Sequence, residues 1–226
     1  LCYAVPEKTA QQSYDFIEHY EIIFMAVFVI LVILLVLYIV HENYRRDQEL
    51  MKYAQTDALT GLYNKETTKL RTDEILSTDK DMIHAFLILD MDCFKQINDG
   101  YGHAVGDIVL QKFGQLLRDI FREDDIVGRI GGDEFVVVMK NIKMKEMAIA
   151  KAEELLTKTQ QYEIKELNGS AISISIGIAM APEDGECYMD LYKRADQALY
   201  QAKRSGKARV CLLYTSPSPR DGLLSR

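Results

Sequence analysis

Two adjacent carboxylates on a glycine link are the residues of this chain best placed to do chemistry. Gly131-Gly132-Asp133-Glu134-Phe135 lies between Asp125-Ile-Val-Gly-Arg-Ile130 and Phe135-Val-Val-Val-Met139. Two apolar runs joined by a Gly-rich link predict a β-hairpin, with glycine supplying the positive φ of a tight turn. Asp133 and Glu134 then stand at the tip beside unobstructed backbone, where a phosphate and its metal could approach closely. Asp90 closes another apolar run, Ala85-Phe-Leu-Ile-Leu89, and a carboxylate at the end of a central strand is costly to bury unpaired. If that strand neighbours the hairpin, Asp90, Asp133 and Glu134 crowd three negative charges together. Such a cluster repels itself unless a divalent cation neutralises it, and oxygen-only ligands favour Mg²⁺ or Mn²⁺ over zinc. The plainer readings are a solvated acidic turn and exposed acids at strand ends.

Further candidates lie between Asp90 and the next helix, in Asp92-Cys-Phe-Lys-Gln-Ile-Asn-Asp-Gly-Tyr-Gly-His-Ala-Val-Gly-Asp107. Lys95 offers a point charge for phosphate, Asn98 an amide that both donates and accepts, and Asp107 a carboxylate able to accept from a base edge. Taken singly, each has a simpler explanation. Lys95 reads as a solvated lysine, Asn98 as a turn former, and Asp107 as a first-turn acid favoured by the helix dipole.

The elements that must position these residues follow from periodicity. Lys65 to Leu76 predicts a helix after the turn-like Thr60-Gly-Leu-Tyr-Asn64, and Ala85–Leu89 a central strand covered on both faces. A helix is expected from Val105 to Phe121, with Val109, Phe113, Leu116, Leu117 and Ile120 on one face. Beyond the hairpin, Met144–Tyr162 is helical, Ala171–Met180 alternates like a strand, and Tyr188–Arg204 is helical up to Gly206. Helices interleaved with strands and a hairpin imply an α/β sandwich, with helices packed on a mixed sheet.

The 226-residue chain carries a net charge of -7, which argues against a broad nucleic-acid-binding surface. Its four cysteines (Cys2, Cys93, Cys187, Cys211) are scattered without a CxxC pair, so a zinc site or disulfide framework is not expected. Residues 22–40 are continuously apolar and long enough to cross a bilayer. Acids precede that span (Asp15, Glu18, Glu21) and Arg45, Arg46 and Lys52 follow it, so the C-terminal part is placed in the cytoplasm. Because the chain begins at Leu1, residues 1–21 read as the end of a longer extracytoplasmic region. Residues 41–56 continue from the span as a linker helix, in which Tyr44, Met51 and Ala54 could form a short coiled-coil seam interrupted by Asp47. At the other end, residues 211–226 resemble an in-frame translation of a sequencing-library adapter and are set aside. A genuine disordered tail is the alternative.

Five segments share one resemblance. Asp57-Ala-Leu-Thr-Gly-Leu-Tyr-Asn64, Asp90-Met-Asp-Cys-Phe-Lys-Gln-Ile-Asn-Asp99, Gly102-His-Ala-Val-Gly-Asp107, the pentapeptide at 131–135, and Ala195-Asp-Gln-Ala-Leu-Tyr-Gln-Ala-Lys203 together resemble the diguanylate cyclases, in order and at that family's spacing. The resemblance covers about residues 55–210, with the catalytic domain itself taken as 57–210. It implies a fold like the palm of nucleotidyl cyclases and polymerases, and condensation of two GTP into cyclic di-GMP with release of two pyrophosphates. It further implies a homodimer, since each site holds one GTP, and the apolar span at 22–40 would anchor that protein in the bacterial inner membrane.

By position, the resemblance assigns two Mg²⁺ (or Mn²⁺) per site to Asp90, Asp133, Glu134 and the carbonyl of Met91, with Asp133 also the candidate proton acceptor. Lys95 would stabilise charge on the phosphates, Asn98 and Asp107 would read guanine with His103 nearby, and Lys203 and Lys207 would reach the terminal phosphates. A buried Asp107 left unpaired by adenine would favour GTP. Arg122-Glu-Asp-Asp125 resembles the family's product-binding inhibitory site. The chain departs from the family pattern at Lys207, where Arg is common, and at Ala208, where Asn is frequent. The apparent adapter from Cys211 is expected to remove the final strand. The alternative function is a catalytically silent domain that receives GTP or cyclic di-GMP.

Overall fold

The structure, a computed structural model, describes the backbone of residues 7–168 and 170–213; side chains at 7–19, 21–22, 46–54, 163 and 170 lie outside the described set. Two compact units divide the chain, Leu1–Tyr53 and Ala54–Arg226. The first is dominated by one helix, α1 (Glu7–Ala54), which runs without a break through the expected span and on to Ala54, two residues short of the end of the expected linker. Within it Ile23–Arg45 holds an 18-residue window with a mean hydropathy of 3.5 and no buried residue. At about 1.5 Å per residue Ile23–Arg45 as a whole exceeds the ~30 Å of a hydrocarbon core. Met51 and Ala54 of the expected seam lie outside the described side chains, as do residues 214–226 of the apparent adapter.

The second unit is built on a five-stranded mixed sheet in the order β2-β3-β1-β6-β7. Its strands are β1 (His84–Met91), β2 (Ile126–Arg129), β3 (Glu134–Met139), β6 (Ile174–Ala181) and β7 (Val210–Leu212); β4 (Glu163–Ile164) and β5 (Ser170–Ala171) form a separate ribbon. All neighbours in the main sheet are antiparallel except β6 and β7. Every residue of β1 is buried, as its continuous apolar run predicts for a strand covered on both faces. Alternation along β1 sends Phe86 and Ile88 into a core shared with Val136, Leu191 and Leu199. Ala85, Leu87 and Leu89 enter a larger core with Phe113, Leu117 and Val137.

Helices α2 (Lys65–Thr78) and α6 (Tyr188–Arg204) pack residues into the first core, and α4 (His103–Ile120) and α5 (Lys145–Gln161) into the second. Asn64 caps α2, its side-chain oxygen accepting from Thr67 N–H at 2.9 Å. The expected apolar face of α4 is buried at all five positions.

Four expectations are corrected. The stretch after Asp90 contains a further helix, α3 (Phe94–Tyr101), and α4 begins at His103 rather than Val105. Gly102, at φ 86°, breaks the two apart. The expected strand Ala171–Met180 is split into β5 and β6, because the chain leaves one sheet for the other around Ser173. Neither Gly131 nor Gly132 has positive φ; residues 130–133 span the turn, and this longer link reverses the chain without a left-handed residue. A Cβ on Gly131 would lie 2.9 Å from Glu134 Oε2, so glycine leaves that carboxylate where it stands, and a larger residue would push it aside. Finally, the last strand is present, with Cys211 opposite Gly177 and Leu212 opposite Ile178. Parallel ladder bonds use backbone groups, so they form with these residues as with others.

One close approach fixes the helix that carries Lys203. A Cβ on Gly177 would sit 2.1 Å from the Ala195 carbonyl oxygen and 2.4 Å from Leu199 N, so α6 rests directly on the β6 backbone. Gly177→Ala is expected to destabilise this unit by about 3 kcal/mol. The measurement is the urea midpoint of the detergent-solubilised chain, and a midpoint equal to wild type would contradict that packing.

Candidate active site

Strand register brings the acids together. Asp90, near the end of β1, lies directly opposite Glu134, the first residue of β3. Asp133 precedes it, and its carbonyl accepts from Met91 N–H at 3.3 Å. The register is enforced by apolar partners deeper in the sheet, Leu89 opposite Phe135 and Ile88 opposite Val136, because a one-residue slip would turn the core-facing side chains outward.

Asp90 is 8% exposed and Glu134 half-buried. Burial pushes the Asp90 carboxyl above its ordinary range, and the charges of Asp133 and Asp92 push the same way against the opposing pull of Lys203. Glu134 is raised first by burial, then by Asp90 and Asp133. Lys203 reaches in from the last turn of α6, with Nζ 2.7 Å from Asp90 Oδ2. The donors gathered here are all oxygens, three carboxylates of which Lys203 pairs with one, a set that fits a hard divalent cation. Among the described residues, no group of three or more His, Cys, Asp or Glu is already arranged to hold a metal. The carboxylates are neighbours, and closing them on an ion requires side-chain movement.

The remaining sequence-derived candidates occupy three places. Lys95 and Asn98 lie on α3, and His103 and Asp107 on α4. A Cβ on Gly106 would meet Asn98 Oδ1 at 2.0 Å, so glycine there lets the Asn98 amide lie against α4. Asp107 is exposed and sits in the second turn of α4, not buried and not in the first turn as expected. Its shielding from water can come only from a molecule that covers it. Lys207 lies in the turn after α6 at φ 61°, its Nζ 3.3 Å from Cys93 Sγ. Beside Glu134 a groove of about 380 Å³ is lined by Asp196, Tyr200 and Lys203 of α6 and by Leu213.

Arg122 and Asp125 stand apart, before β2, and line another cavity of about 380 Å³ with Arg118, Glu123 and Tyr63. Asp125 is buried, and its two carboxylate oxygens accept from Arg122 N–H and Lys140 N–H, each at 3.0 Å. It therefore shapes this loop before it meets any ligand.

Sequence reasoning gave no role to two positioning acids. Asp57 pairs with Arg129 Nη1 at 3.1 and 3.2 Å, while Arg129 Nε and Nη2 donate to the Gly132 carbonyl at 3.2 and 2.8 Å. One guanidinium thus straps the 57–64 loop to the hairpin tip. The signal was a lone arginine inside an apolar strand, which demands a partner. Asp92 is buried and accepts from Ser173 Oγ, Ser175 Oγ and Ala208 N–H at 2.7, 2.8 and 3.1 Å. Two serines spaced by two on a strand, facing the same way, were its signal.

Comparison with known proteins identifies the family and the fold. The family described as "Diguanylate cyclase, GGDEF domain" matches residues 54–209. Diguanylate cyclase DgcS of Shewanella oneidensis is 37% identical over 168 residues, covering 73% of this chain and 55% of that protein. The GGDEF domain of TpbB (YfiN) from Pseudomonas aeruginosa superposes with a TM-score of 0.66 at 35% identity, over 70% of this chain and 94% of that one. The coiled coil and GGDEF domain of DgcB from Caulobacter crescentus, in complex with c-di-GMP, gives a TM-score of 0.69 at 25% identity over 77% and 93%. The chain spans between 22% and 55% of the length of the curated relatives it matches.

The Arg129 strap carries a pH signature. Burial pushes the Asp57 carboxyl up, but the Thr60 hydroxyl and N–H, together with Arg129, outweigh it and hold it below its ordinary 3.8. A depressed carboxyl contributes stability that is fully present above its unfolded value and is lost as pH falls through its lower folded value. Between about pH 5 and pH 2.5, wild type should therefore lose about 1 kcal/mol more stability than Asp57→Asn. Denaturation curves of the two proteins across that range measure it, and parallel losses would show that the strap contributes nothing.

Proposed function

The chain belongs to the GGDEF family of diguanylate cyclases, and from that premise we propose that it joins two GTP molecules into cyclic di-GMP. The observation that carries this reading is the cross-strand pair Asp90 and Glu134 with Asp133 beside it, three carboxylates at one end of the sheet. In each half-reaction the ribose 3′-hydroxyl oxygen of one GTP attacks the α-phosphorus of the other. A new P–O bond forms, the bond to the β-phosphate breaks, and pyrophosphate leaves with its electron pair. The second half-reaction, with the roles exchanged, closes the ring.

Asp133 takes the 3′-hydroxyl proton, and Lys95 offsets charge that builds on the phosphates during transfer. Asn98 and Asp107 hold the guanine edge, with His103 at its margin; Asp107 accepts from guanine N1–H and N2–H, donors that adenine lacks. Lys203 and Lys207 draw in the terminal phosphates. Asp90, Asp133, Glu134 and the Met91 carbonyl would hold two Mg²⁺ or Mn²⁺, which supply positive charge across the triphosphate. Since each chain holds one GTP, two chains must face one another to complete the product, so the working unit is a homodimer. Ile23–Arg45 anchors it in the inner membrane, with Arg45, Arg46 and Lys52 and the enzymatic unit on the cytoplasmic side. Residues 1–21 then lie outside the membrane, and 41–56 link the span to the enzymatic unit at 57–210, on whose β6 strand Cys211 and Leu212 of the adapter-like segment pair.

Incubating the detergent-purified full chain with GTP and Mg²⁺ should yield cyclic di-GMP and two pyrophosphates per product, with ATP turned over far more slowly. Asp133→Asn should lower the rate by about 10³-fold or more. Binding of GTP or cyclic di-GMP with no product formed would instead make the chain a receptor.

Product should also act as an inhibitor at Arg122. The cavity beside that residue and its free guanidinium fork suit a phosphate or guanine edge. Arg122→Ala should keep its turnover while the concentration of cyclic di-GMP needed for inhibition rises by about 10- to 100-fold. A dose–response curve unchanged from wild type would rule the site out.

A further inference from the structure

Lys203 is held in a position that conflicts with the role proposed for it. Its ammonium lies 2.7 Å from Asp90 Oδ2, and its side chain is 35% exposed against 10% for Asp90. Asp90 has few alternatives. Ser175, directly across the β1–β6 ladder, gives its hydroxyl to Asp92 instead. Lys207, the next lysine along, turns its Nζ to Cys93. Among the described residues, Lys203 therefore supplies the ion pair to a carboxylate cluster that includes Asp133 and Glu134. The base of the side chain is fixed as well, because α6 rests on β6 at Gly177 and Ala202 is buried. What remains free to move is the flexible four-carbon stem.

We propose that Lys203 is a placeholder cation, holding Asp90 until a divalent ion takes its place and only then swinging out to an anion. This rests on the reading of Asp90 as a cation ligand. An ammonium and a divalent ion cannot share one carboxylate oxygen at contact distance without strong mutual repulsion. Cation entry therefore releases Lys203 toward the groove it already lines beside Glu134. Two consequences follow for one residue, with opposite signs. Lys203 weakens binding of a bare divalent cation and strengthens binding of the cation together with a nucleotide. Coupling of this kind makes the site favour a metal–nucleotide complex over either component alone.

The test uses Mn²⁺ as probe, titrated without nucleotide into the full chain in detergent and followed by electron paramagnetic resonance. Lys203→Met should bind Mn²⁺ about tenfold more tightly than wild type, while Lys203→Arg, which keeps the charge, should stay close to wild type. With Mn²⁺ present, Lys203→Met should bind a non-hydrolysable GTP analogue more weakly than wild type. Equal or weaker Mn²⁺ binding by Lys203→Met, with wild-type binding lost in Asp90→Asn, would overturn the placeholder role alone. Mn²⁺ binding unaffected by Asp90→Asn would overturn the ligand reading, and the placeholder with it.

Discussion

Negative charge gathered at the end of two adjacent strands is the constraint on which the rest of this unit depends. Asp90 and Glu134 face one another across the β1–β3 ladder, and Asp133 adds a third carboxylate. Burial and mutual repulsion raise both Asp90 and Glu134, so the protein holds these groups together against their preference. Core packing does the holding. Leu89 and Phe135 pair in the same register one step deeper, and Phe135 meets Phe113 edge to face at 4.9 Å. Sliding the strands apart to relieve the charge would expose that apolar surface, at roughly 25 cal/mol per Å².

Neighbouring elements then manage what the core imposes. Arg129 ties the hairpin tip to Asp57 through a charge-assisted fork and so limits how far Asp133 and Glu134 can splay. Asp92 anchors the start of β6 and the turn carrying Lys207 and Ala208, both at positive φ. Asn commonly occupies the second of these positions in the family and tolerates the left-handed region better than alanine does. Here the Asp92 hydrogen bond offsets part of that cost. Helix α6, packed on the face of the sheet that Asp90 shares with Phe86 and Ile88, contributes the balancing cation. The site is therefore assembled from rigid elements, and its adjustable parts are side chains.

Much of this was legible in the residues. Continuous burial of β1, the apolar face of α4 and the hairpin around Gly131 followed from periodicity and turn composition. The crowding of Asp90 with Asp133 and Glu134 was expected only if strand 85–89 neighboured the hairpin, and the β1–β3 pairing supplies that condition. Three features were not legible. Helix α3 is only eight residues long and contains the turn-forming run Asn98-Asp99-Gly100, which masks the helical spacing of Phe94, Ile97 and Tyr101 as a loop. The glycines of the hairpin were assigned to backbone conformation, yet neither has positive φ, and what Gly131 does is leave the end of the Glu134 side chain undisturbed. The pairs Arg129–Asp57 and Lys203–Asp90 join residues far apart in sequence, and only the sheet order brings them within reach.

The melting temperature of Glu134→Gln, compared with wild type with and without divalent cation, tests the central claim most directly. If the acids repel one another and need a cation, removing one charge without changing shape should raise the melting temperature in chelator by about 3 °C. Added Mg²⁺ should then stabilise wild type more than the variant. A variant that melts at or below wild type in chelator would contradict the account, because the carboxylates would then be content without an ion.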